Sequence, residues 1–449
     1  MSISTKTASR RKSAVIRFFS LMAVILLFTA SPGQASSLGI DTSKIPKLKE
    51  YQFPPQAEFE KQTKAINVQN PYEDAYLSYS LRLPKDWSEN MQPAPISAGG
   101  NQSLLSNTVL SIISKYVSRP KNLQRSTITI EAQTMTYEIS AKNWFINFII
   151  NNGFSLSGLT EKGPRELEAM YVALVSDTTY VVRTRVLVNG SRMIVVRYYL
   201  PQENYEEEKM MQAQVMNSFH LTNLSNERIE NQETYGFLDQ SYFNYPKSWK
   251  LKEKSILSIE RMSALLTQET VEEKTSVLEG HIRINVISRL LNTTLANEVA
   301  NFRKDLKIPK YSVGDLIENV DYEYDPSIKI GKSQIYTLVP DDKINMQAYE
   351  FLVTAMQGDD YYYIISMITP SRRQDFYTWA KNMEAVRIVN ESMRRQNLSL
   401  KYDPNDPYYD YLKEYEGTEN QAPAAPVAPT VPTSNKERVS APAPQTKSP

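Results

Sequence analysis

Cysteine is absent from this chain, and only two histidines occur among its 449 residues. Without cysteine the protein has no disulfide bond, no thiol nucleophile and no thiolate ligand for a metal. The histidines, His220 and His281, are too few for a three-histidine zinc site. We therefore expect each histidine to have a structural role.

Glycine is also scarce, with 14 residues, so there is little material for a glycine-rich phosphate or dinucleotide turn. The sequence contains no Gly-x-Ser-x-Gly nucleophile elbow and no His-Glu-x-x-His metal motif. Its formal net charge is +1, which gives no electrostatic signature of nucleic-acid binding. The sequence therefore predicts no catalytic residue, no cofactor, no metal site and no nucleic-acid partner.

Residues 1–35 have the pattern of a secretory signal peptide. Basic residues without any acid precede an apolar run from Phe18 to Ala30, and small residues lead to Ala35. A membrane-spanning helix needs about 20 apolar residues, and this run is shorter. We therefore expect cleavage after Ala35 and a periplasmic mature protein without an integral membrane span. The alternative is an uncleaved signal that anchors the chain in the inner membrane.

Both flanks of the mature chain differ in composition from its centre. Residues 36–71 are punctuated by proline and predict an irregular lead-in. Residues 417–449 are rich in alanine and proline and predict a disordered tail. Just before this tail, residues 391–416 form an arm in which tyrosines alternate with acids. Because tyrosine is enriched at protein interfaces, the candidate partner-binding residues are Tyr408, Tyr409, Tyr411 and Tyr415.

One series of features occurs twice between residues 72 and 390. In each copy a strand-like run ends in Pro-Lys-x-Trp, at Pro84–Trp87 and at Pro246–Trp249. A further strand-like run then leads into a short amphipathic helix, for which Ser140 and Thr294 are the expected N-caps. The same order of elements in both copies indicates an internal repeat.

Each copy ends in a three-stranded antiparallel meander, a proline and a longer helix. The meander turns at Asn189-Gly190 in the first copy and at Gly358-Asp359 in the second. Pro201 precedes the closing helix of the first copy. In the second copy Ser371 and Gln374 follow the proline at the spacing of a capping box.

This repeat predicts an α+β fold with two tandem copies of an antiparallel sheet packed with helices. We expect one domain at residues 72–222, a polar linker at 223–234 and a second domain at 235–390. With its Pro-Lys-x-Trp tetrapeptides, each domain resembles the PsbP-like fold of extrinsic photosystem proteins and DcrB-like periplasmic proteins. The resemblance implies mainly non-catalytic domains that dock onto larger assemblies, and no functional residue of the family can be carried over.

Two further segments have alternative interpretations. Residues 103–117 form an amphipathic stretch, expected as a helix that either covers the core of the first copy or binds a partner. Acidic pairs at Asp341-Asp342 and Asp359-Asp360 lie in expected turns. Paired carboxylates can serve a glycosidase-like hydrolase when they face each other across a cleft, but turns commonly carry solvated acids.

The sequence as a whole predicts an exported, non-catalytic binding or scaffold protein of the cell envelope. Its partners are then unknown envelope proteins, and it acts either alone or as a periplasmic subunit of an envelope or secretion assembly. The alternative is a periplasmic hydrolase that depends on Asp or Glu.

Overall fold

The computed structural model describes residues 45–90, 109–121, 124–238, 240–272, 275–306, 308, 310–341 and 348–395. These residues belong to one compact unit. The expected signal peptide, the tail and the four candidate tyrosines of the arm lie outside the described residues. None of the described helices is both long and apolar enough to cross a membrane.

The described residues form five α-helices interspersed among runs of strands. The helices are α1 (Gln56–Gln62), α2 (Ala141–Asn152), α3 (Tyr205–Ser218), α4 (Leu295–Asp305) and α5 (Phe376–Ser392). The strands of the first half are β1 (Thr63–Val68), β2 (Tyr79–Pro84), β3 (Ser88–Glu89), β4 (Ser111–Val117), β5 (Thr127–Thr134), β6 (Ser155–Gly163), β7 (Glu166–Val175), β8 (Thr178–Asn189), β9 (Arg192–Pro201) and β10 (His220–Leu221). The strands of the second half are β11 (Gln232–Phe237), β12 (Ser241–Pro246), β13 (Lys250–Ser258), β14 (Arg261–Glu272), β15 (Thr275–Ser288), β16 (Tyr311–Val320), β17 (Ile328–Pro340), β18 (Tyr349–Gly358), β19 (Tyr361–Pro370) and β20 (Arg394–Arg395).

Two seven-stranded antiparallel sheets with the same strand order dominate the fold. The first has the order β3-β4-β5-β9-β8-β7-β6, and the second has the order β13-β14-β15-β19-β18-β17-β16. Each half adds a small three-stranded sheet, β1-β2-β10 or β11-β12-β20. The predicted fold class is confirmed: the chain contains two tandem α+β copies.

The N-caps predicted for the two short helices are confirmed. The hydroxyl of Ser140 accepts a hydrogen bond from the N–H of Asn143, and that of Thr294 accepts one from the N–H of Asn297, both at 3.2 Å. Each bond satisfies an N–H that has no partner inside the helix. Helix α2 ends at Gly153, whose φ of 63° suits glycine because it has no Cβ.

Both faces of each large sheet are covered by helices. One face of the first sheet packs on α3, with Ile128 and Val196 in the same apolar cluster as Val215. The matching face of the second sheet packs on α5 through Ile284 and Val386. The opposite face of the first sheet is covered by α2, and that of the second sheet by α4.

The tryptophans of the repeated tetrapeptide occupy equivalent places. The backbone N–H of Trp87 donates to the carbonyl of Pro84 at 3.1 Å, and that of Trp249 donates to Pro246 at 2.9 Å. Trp87 is 5% exposed and Trp249 is 3% exposed. Each lies in the apolar cluster of its own closing helix. Both rings are therefore buried in the apolar core of their own copy.

Two expectations about local structure are wrong at the start of the chain. The lead-in is not irregular throughout, because residues 56–68 form α1 and β1, and β1 pairs along the whole of β2. Residues 103–117 were expected as a helix, but residues 111–117 form strand β4 between β3 and β5. The remaining residues of that stretch up to 108 lie outside the described part.

The second closing helix also differs from expectation at both ends. Its N-cap is Asp375, whose carboxylate accepts from the N–H of Thr378 at 3.0 Å. The amide of Gln374 instead accepts from the N–H of Ala348, so no capping box forms with Ser371. At the other end the helix runs to Ser392, beyond the expected domain end at 390, and the short strand β20 pairs with β12.

Candidate ligand-binding groove

An open groove lies between helix α4 and the outer face of the second sheet. Its volume is about 500 Å³, which is within the usual range of small-molecule sites. The sheet contributes alternate residues, which share a face because side chains of a strand point to opposite sides in turn. The main lining side chains are Arg261, Ser263, His281, Arg283, Asn285, Glu298, Phe302, Asp305, Leu306, Ile308, Phe351, Ile364, Ser366 and Ile368.

In the first half the equivalent space is filled by side chains. Arg197 forms a buried ion pair with Glu131, and its guanidinium lies 5.1 Å from the ring centre of Phe148 on α2. Trp144, also on α2, stacks on Phe148 with ring centres 5.8 Å apart. Together these four side chains fill the space between helix and sheet.

The positions that match these residues follow from the caps and from strand pairing. Counted from the caps Ser140 and Thr294, Glu131 corresponds to Asn285, Trp144 to Glu298 and Phe148 to Phe302. Counted back from the prolines that end β9 and β19, Arg197 corresponds to Ser366. Strand pairing gives the same correspondence. Glu131 pairs with Val195 and Asn285 pairs with Ile364, and these two partners lie the same number of residues before the proline that ends their strand. The second half therefore keeps one aromatic ring but loses the tryptophan and the buried ion pair.

Helix α4 is held to the sheet by an ion pair at one end of the groove. The guanidinium of Arg261 on β14 donates to both carboxylate oxygens of Glu298, at 3.1 and 3.0 Å. Glu298 is 3% exposed. A two-point contact between guanidinium and carboxylate fixes the geometry of both partners. Glu298, which corresponds to Trp144 of the first copy, thus anchors α4 to the sheet and leaves the space beneath this helix open.

The floor of the groove is polar. The side chain of Arg283 is exposed there, and its guanidinium forms neither an ion pair nor a hydrogen bond with another residue of the described ranges. His281 is half-buried two residues away on the same strand. Burial, and then the positive charge of Arg283, lower the pKa of His281 from its usual value near 6.5. The amide of Asn285 donates to the carbonyl of Ile364 at 3.2 Å.

The walls of the groove are apolar on the side toward β18. Phe302 of α4 packs with Phe351 and Ile364 in one cluster, and Ile308 and Ile368 extend this cluster along the groove. Such a combination of apolar walls with a few polar groups is typical of sites for small organic ligands. An exposed carboxylate, Asp305, also lines the groove from the last turn of α4.

The candidate residues from the sequence are the four tyrosines of the arm and the acids of the expected turns. Tyr408, Tyr409, Tyr411 and Tyr415 are outside the described residues, so they remain a prediction. The turn acids lie outside the groove: Asp359 is 3.8 Å from the ammonium of Lys329, and Asp360 is 2.8 Å from the guanidinium of Arg395. Asp342 is not among the described residues. Within the part that the structure describes, no three potential metal ligands cluster.

Sequence reasoning missed the groove, although a signal for it was present. The second copy has His281, Arg283 and Asn285 at alternate positions of a strand, and all three side chains share one face. An alignment of the two copies from their caps places Arg283 opposite the small Thr129 of the first copy. A polar, charged face beneath a helix is unusual unless it is filled or faces a ligand.

No protein-family model matches the chain, and no curated protein matches it. Among solved structures, the chain is similar to PsbP (CyanoP) from Synechocystis sp. PCC 6803, at 12% identity and a TM-score of 0.25, over 35% of this chain and 92% of that one. It is also similar to LpqN, involved in cell envelope biogenesis of Mycobacterium tuberculosis, at 12% identity and a TM-score of 0.24, over 38% of this chain and 100% of that one. The immunity protein TplEi from Pseudomonas aeruginosa is similar at 10% identity and a TM-score of 0.18, over 75% of this chain and 99% of that one. The resemblance to PsbP-like proteins is thus matched in part, over about a third of the chain.

Proposed function

We propose that this chain is an exported, non-catalytic binding protein of the cell envelope, and that its second half holds a small ligand in the groove beneath α4. The observation that carries the proposal is the contrast between the two copies of the fold. The first copy fills the space under its helix with Trp144 and the pair Glu131–Arg197. The second copy has the smaller Asn285 and Ser366 in place of the pair, and Glu298 in place of Trp144 is bound to Arg261. An open volume of about 500 Å³ remains.

The chemistry of the groove supports binding rather than hydrolysis. Hydrolysis by paired acids needs two carboxylates that are free to donate and accept protons across a cleft. One of the two acids that line the groove, Glu298, has both oxygens bound by Arg261. A hydrolase that depends on Asp or Glu stays the alternative function, with Asp305 as the acid that it would use.

Refilling the groove with side chains of the first copy tests the proposal. We expect uncharged phenylnaphthylamine to bind the wild-type protein saturably, because its rings fit between the apolar walls, and its fluorescence measures this binding. The double variant Asn285→Glu/Ser366→Arg should lose this binding while it unfolds at nearly the same temperature. Leu174→Arg adds the same side chain at a site that is 69% exposed in the first half, and it is the matched control.

Two results would contradict the proposal. Either the wild-type protein does not bind the probe, or the double variant binds it as tightly as the control does. In both cases the groove is not a ligand site.

Docking to an envelope partner is the second part of the proposed function, and it rests on the arm. Tyr408, Tyr409, Tyr411 and Tyr415 are amphipathic side chains that can anchor an interface. Deletion of residues 402–416 should abolish capture of partners from cross-linked envelopes and leave the melting temperature unchanged. A fall of several degrees would instead assign the arm to the folded core and remove this part of the proposal.

Export is proposed from the N-terminal sequence. N-terminal sequencing of the protein from a periplasmic fraction should give Ser36 as the first residue. Recovery of intact Met1 on membrane-bound protein would favour the anchored alternative.

A further inference from the structure

We propose that the ligand of the groove is an amphipathic anion, with one acidic group bound at Arg283 and an apolar body held between Phe302 and Phe351. This inference rests on the proposed function, since it names the chemical class of the ligand for the same groove. It assigns a separate role to each of the two surfaces that line the groove.

The charges on the floor of the groove indicate where the acidic group of the ligand binds. Of the two arginines that line the groove, Arg261 is bound by Glu298, whereas the guanidinium of Arg283 has no hydrogen-bond or ion-pair partner among the described residues. A guanidinium presents several N–H groups in a planar fork that matches the oxygens of a carboxylate, sulfonate or phosphate. Arg283 pairs in register with Ser366, whose hydroxyl is a second donor on the same face.

The internal repeat gives an independent reason for a negative group at this place. In the first copy the cation on this face, Arg197, is balanced by the carboxylate of Glu131. In the second copy the cation has moved across to the neighbouring strand, as Arg283, and the carboxylate position is the neutral Asn285. The folded chain thus supplies the anion in one copy and leaves it to a ligand in the other.

The apolar wall of the groove indicates where the apolar part of the ligand binds. Phe302 comes from the helix and Phe351 from the sheet, and Ile364 and Ile368 lie beside them. Burial of apolar ligand surface against such a wall favours binding, because this surface is removed from water. An inorganic anion would use Arg283 but would leave this wall unoccupied, so the geometry favours a ligand with both parts.

Asp305 opposes the anion from the last turn of α4. Because this carboxylate is exposed, water screens its charge. We expect Asp305→Asn to tighten the binding of an anionic probe modestly, by no more than about fivefold. The same substitution should not change the binding of an uncharged probe.

Two fluorescent probes that share their rings and differ by one acidic group test the inference. Anilinonaphthalene sulfonate carries a sulfonate, and phenylnaphthylamine is its uncharged counterpart. Arg283→Gln should weaken binding of the sulfonate by about tenfold or more, because a hydrogen bond to a charged group is lost. It should leave binding of phenylnaphthylamine unchanged. Lys304→Gln removes one positive charge from α4 at an exposed position that does not line the groove, and it should change neither probe.

The outcomes separate this inference from the proposed function. If Arg283→Gln weakens neither probe while the refilled variant Asn285→Glu/Ser366→Arg loses both, the groove binds ligands but the anion site is wrong. If Arg283→Gln and Lys304→Gln weaken the sulfonate equally, the effect is one of general charge and the assignment to Arg283 fails. If neither probe binds the wild-type protein, the proposed function fails together with the inference.

His281 provides a second readout at the same place. It faces Arg283 on its own strand, and the groove also contains Arg261 of β14 and Glu298 and Asp305 of α4. An anion bound at Arg283 stabilises the protonated imidazole, so the pKa of His281 should rise when anilinonaphthalene sulfonate binds. Imidazole NMR signals are simple to follow because the chain has only one other histidine, His220, which is exposed and serves as the internal control. If the sulfonate binds and the pKa of His281 does not move, the acidic group lies elsewhere.

Discussion

Single side chains show how two copies of one fold acquire different properties. Glu131 and Arg197 are both about nine-tenths buried, and together they remove two charges from water. Such a pair is stabilising only when both partners remain, because a lone buried charge is strongly unfavourable. The second copy lacks both members, at Asn285 and Ser366, and therefore needs no internal compensation. The groove follows from the joint loss of a matched pair.

Trp87 and Trp249 give a test of how equivalent the two copies are. Both rings are nearly fully buried. Each lies in the equivalent turn of its own copy and packs against the closing helix of that copy. Replacing either by alanine removes a large apolar surface and leaves a cavity. We expect each variant to lower the free energy of unfolding by about 3–5 kcal/mol in chemical denaturation. If one variant is destabilised and the other is not, the two tryptophans do not have equivalent roles.

Local signals in the sequence predicted the structure better than long-range strand pairing could be predicted. Short-range signals worked: the caps Ser140 and Thr294 and the turn at Asn189-Gly190 lie where they were expected, because each depends on a few neighbouring residues. Long-range pairing did not follow from local pattern. Residues 111–117 have apolar spacing that suits a helix, but they form a strand because β3 and β5 pair with it on both sides.

The failed capping box has a similar cause. Ser371 and Gln374 have the right spacing, yet both side chains find partners on another strand or loop. The hydroxyl of Ser371 donates to Glu350 at 3.3 Å, and the amide oxygen of Gln374 accepts from Ala348. The helix therefore begins one turn later, after Asp375. The groove was missed for the same reason, since its floor combines strands that are distant in sequence.

Across the chain, helix α5 joins the two halves into one unit. Its second part packs on the second sheet, whereas Phe376, Trp379 and Ala380 belong to the apolar cluster beneath α2 of the first half. The indole N–H of Trp379 donates to Glu350 at 3.0 Å, and the guanidinium of Arg372 lies 4.3 Å from its ring centre. Because one helix supplies two cores, the halves should unfold together in a single cooperative transition.

The contact between the halves also contains half-buried carboxylates, and these give the unfolding transition a specific pH dependence. Burial raises the pKa of Glu138 and of Glu230 above the usual value of 4.5. Glu138 accepts from the N–H of Glu230 at 3.3 Å, and Glu230 accepts from the N–H of Ser248 at 2.5 Å. Glu138 lines a cavity that is also lined by Glu384, Arg387 and Arg228. A carboxylate whose pKa is raised by folding binds its proton more tightly in the folded state, so it makes the protein less stable as pH rises from 4.5 through the raised pKa.

The double variant Glu138→Gln/Glu230→Gln isolates this effect, because glutamine imitates the protonated acid and can accept the same hydrogen bonds. We expect the variant to be more stable than wild type near pH 7, since no charge is then buried at the contact between the halves. This difference in melting temperature should shrink as the pH is lowered toward 4.5 and the wild-type acids take up protons. Comparison of the two proteins at each pH cancels the opposite contribution of His281, whose pKa is lowered by burial and which therefore destabilises the fold as the pH falls below 6.5. Calorimetry at several pH values measures the difference, and a gap that stays constant with pH would show that these two carboxylates are charged to the same extent in the folded and unfolded chain.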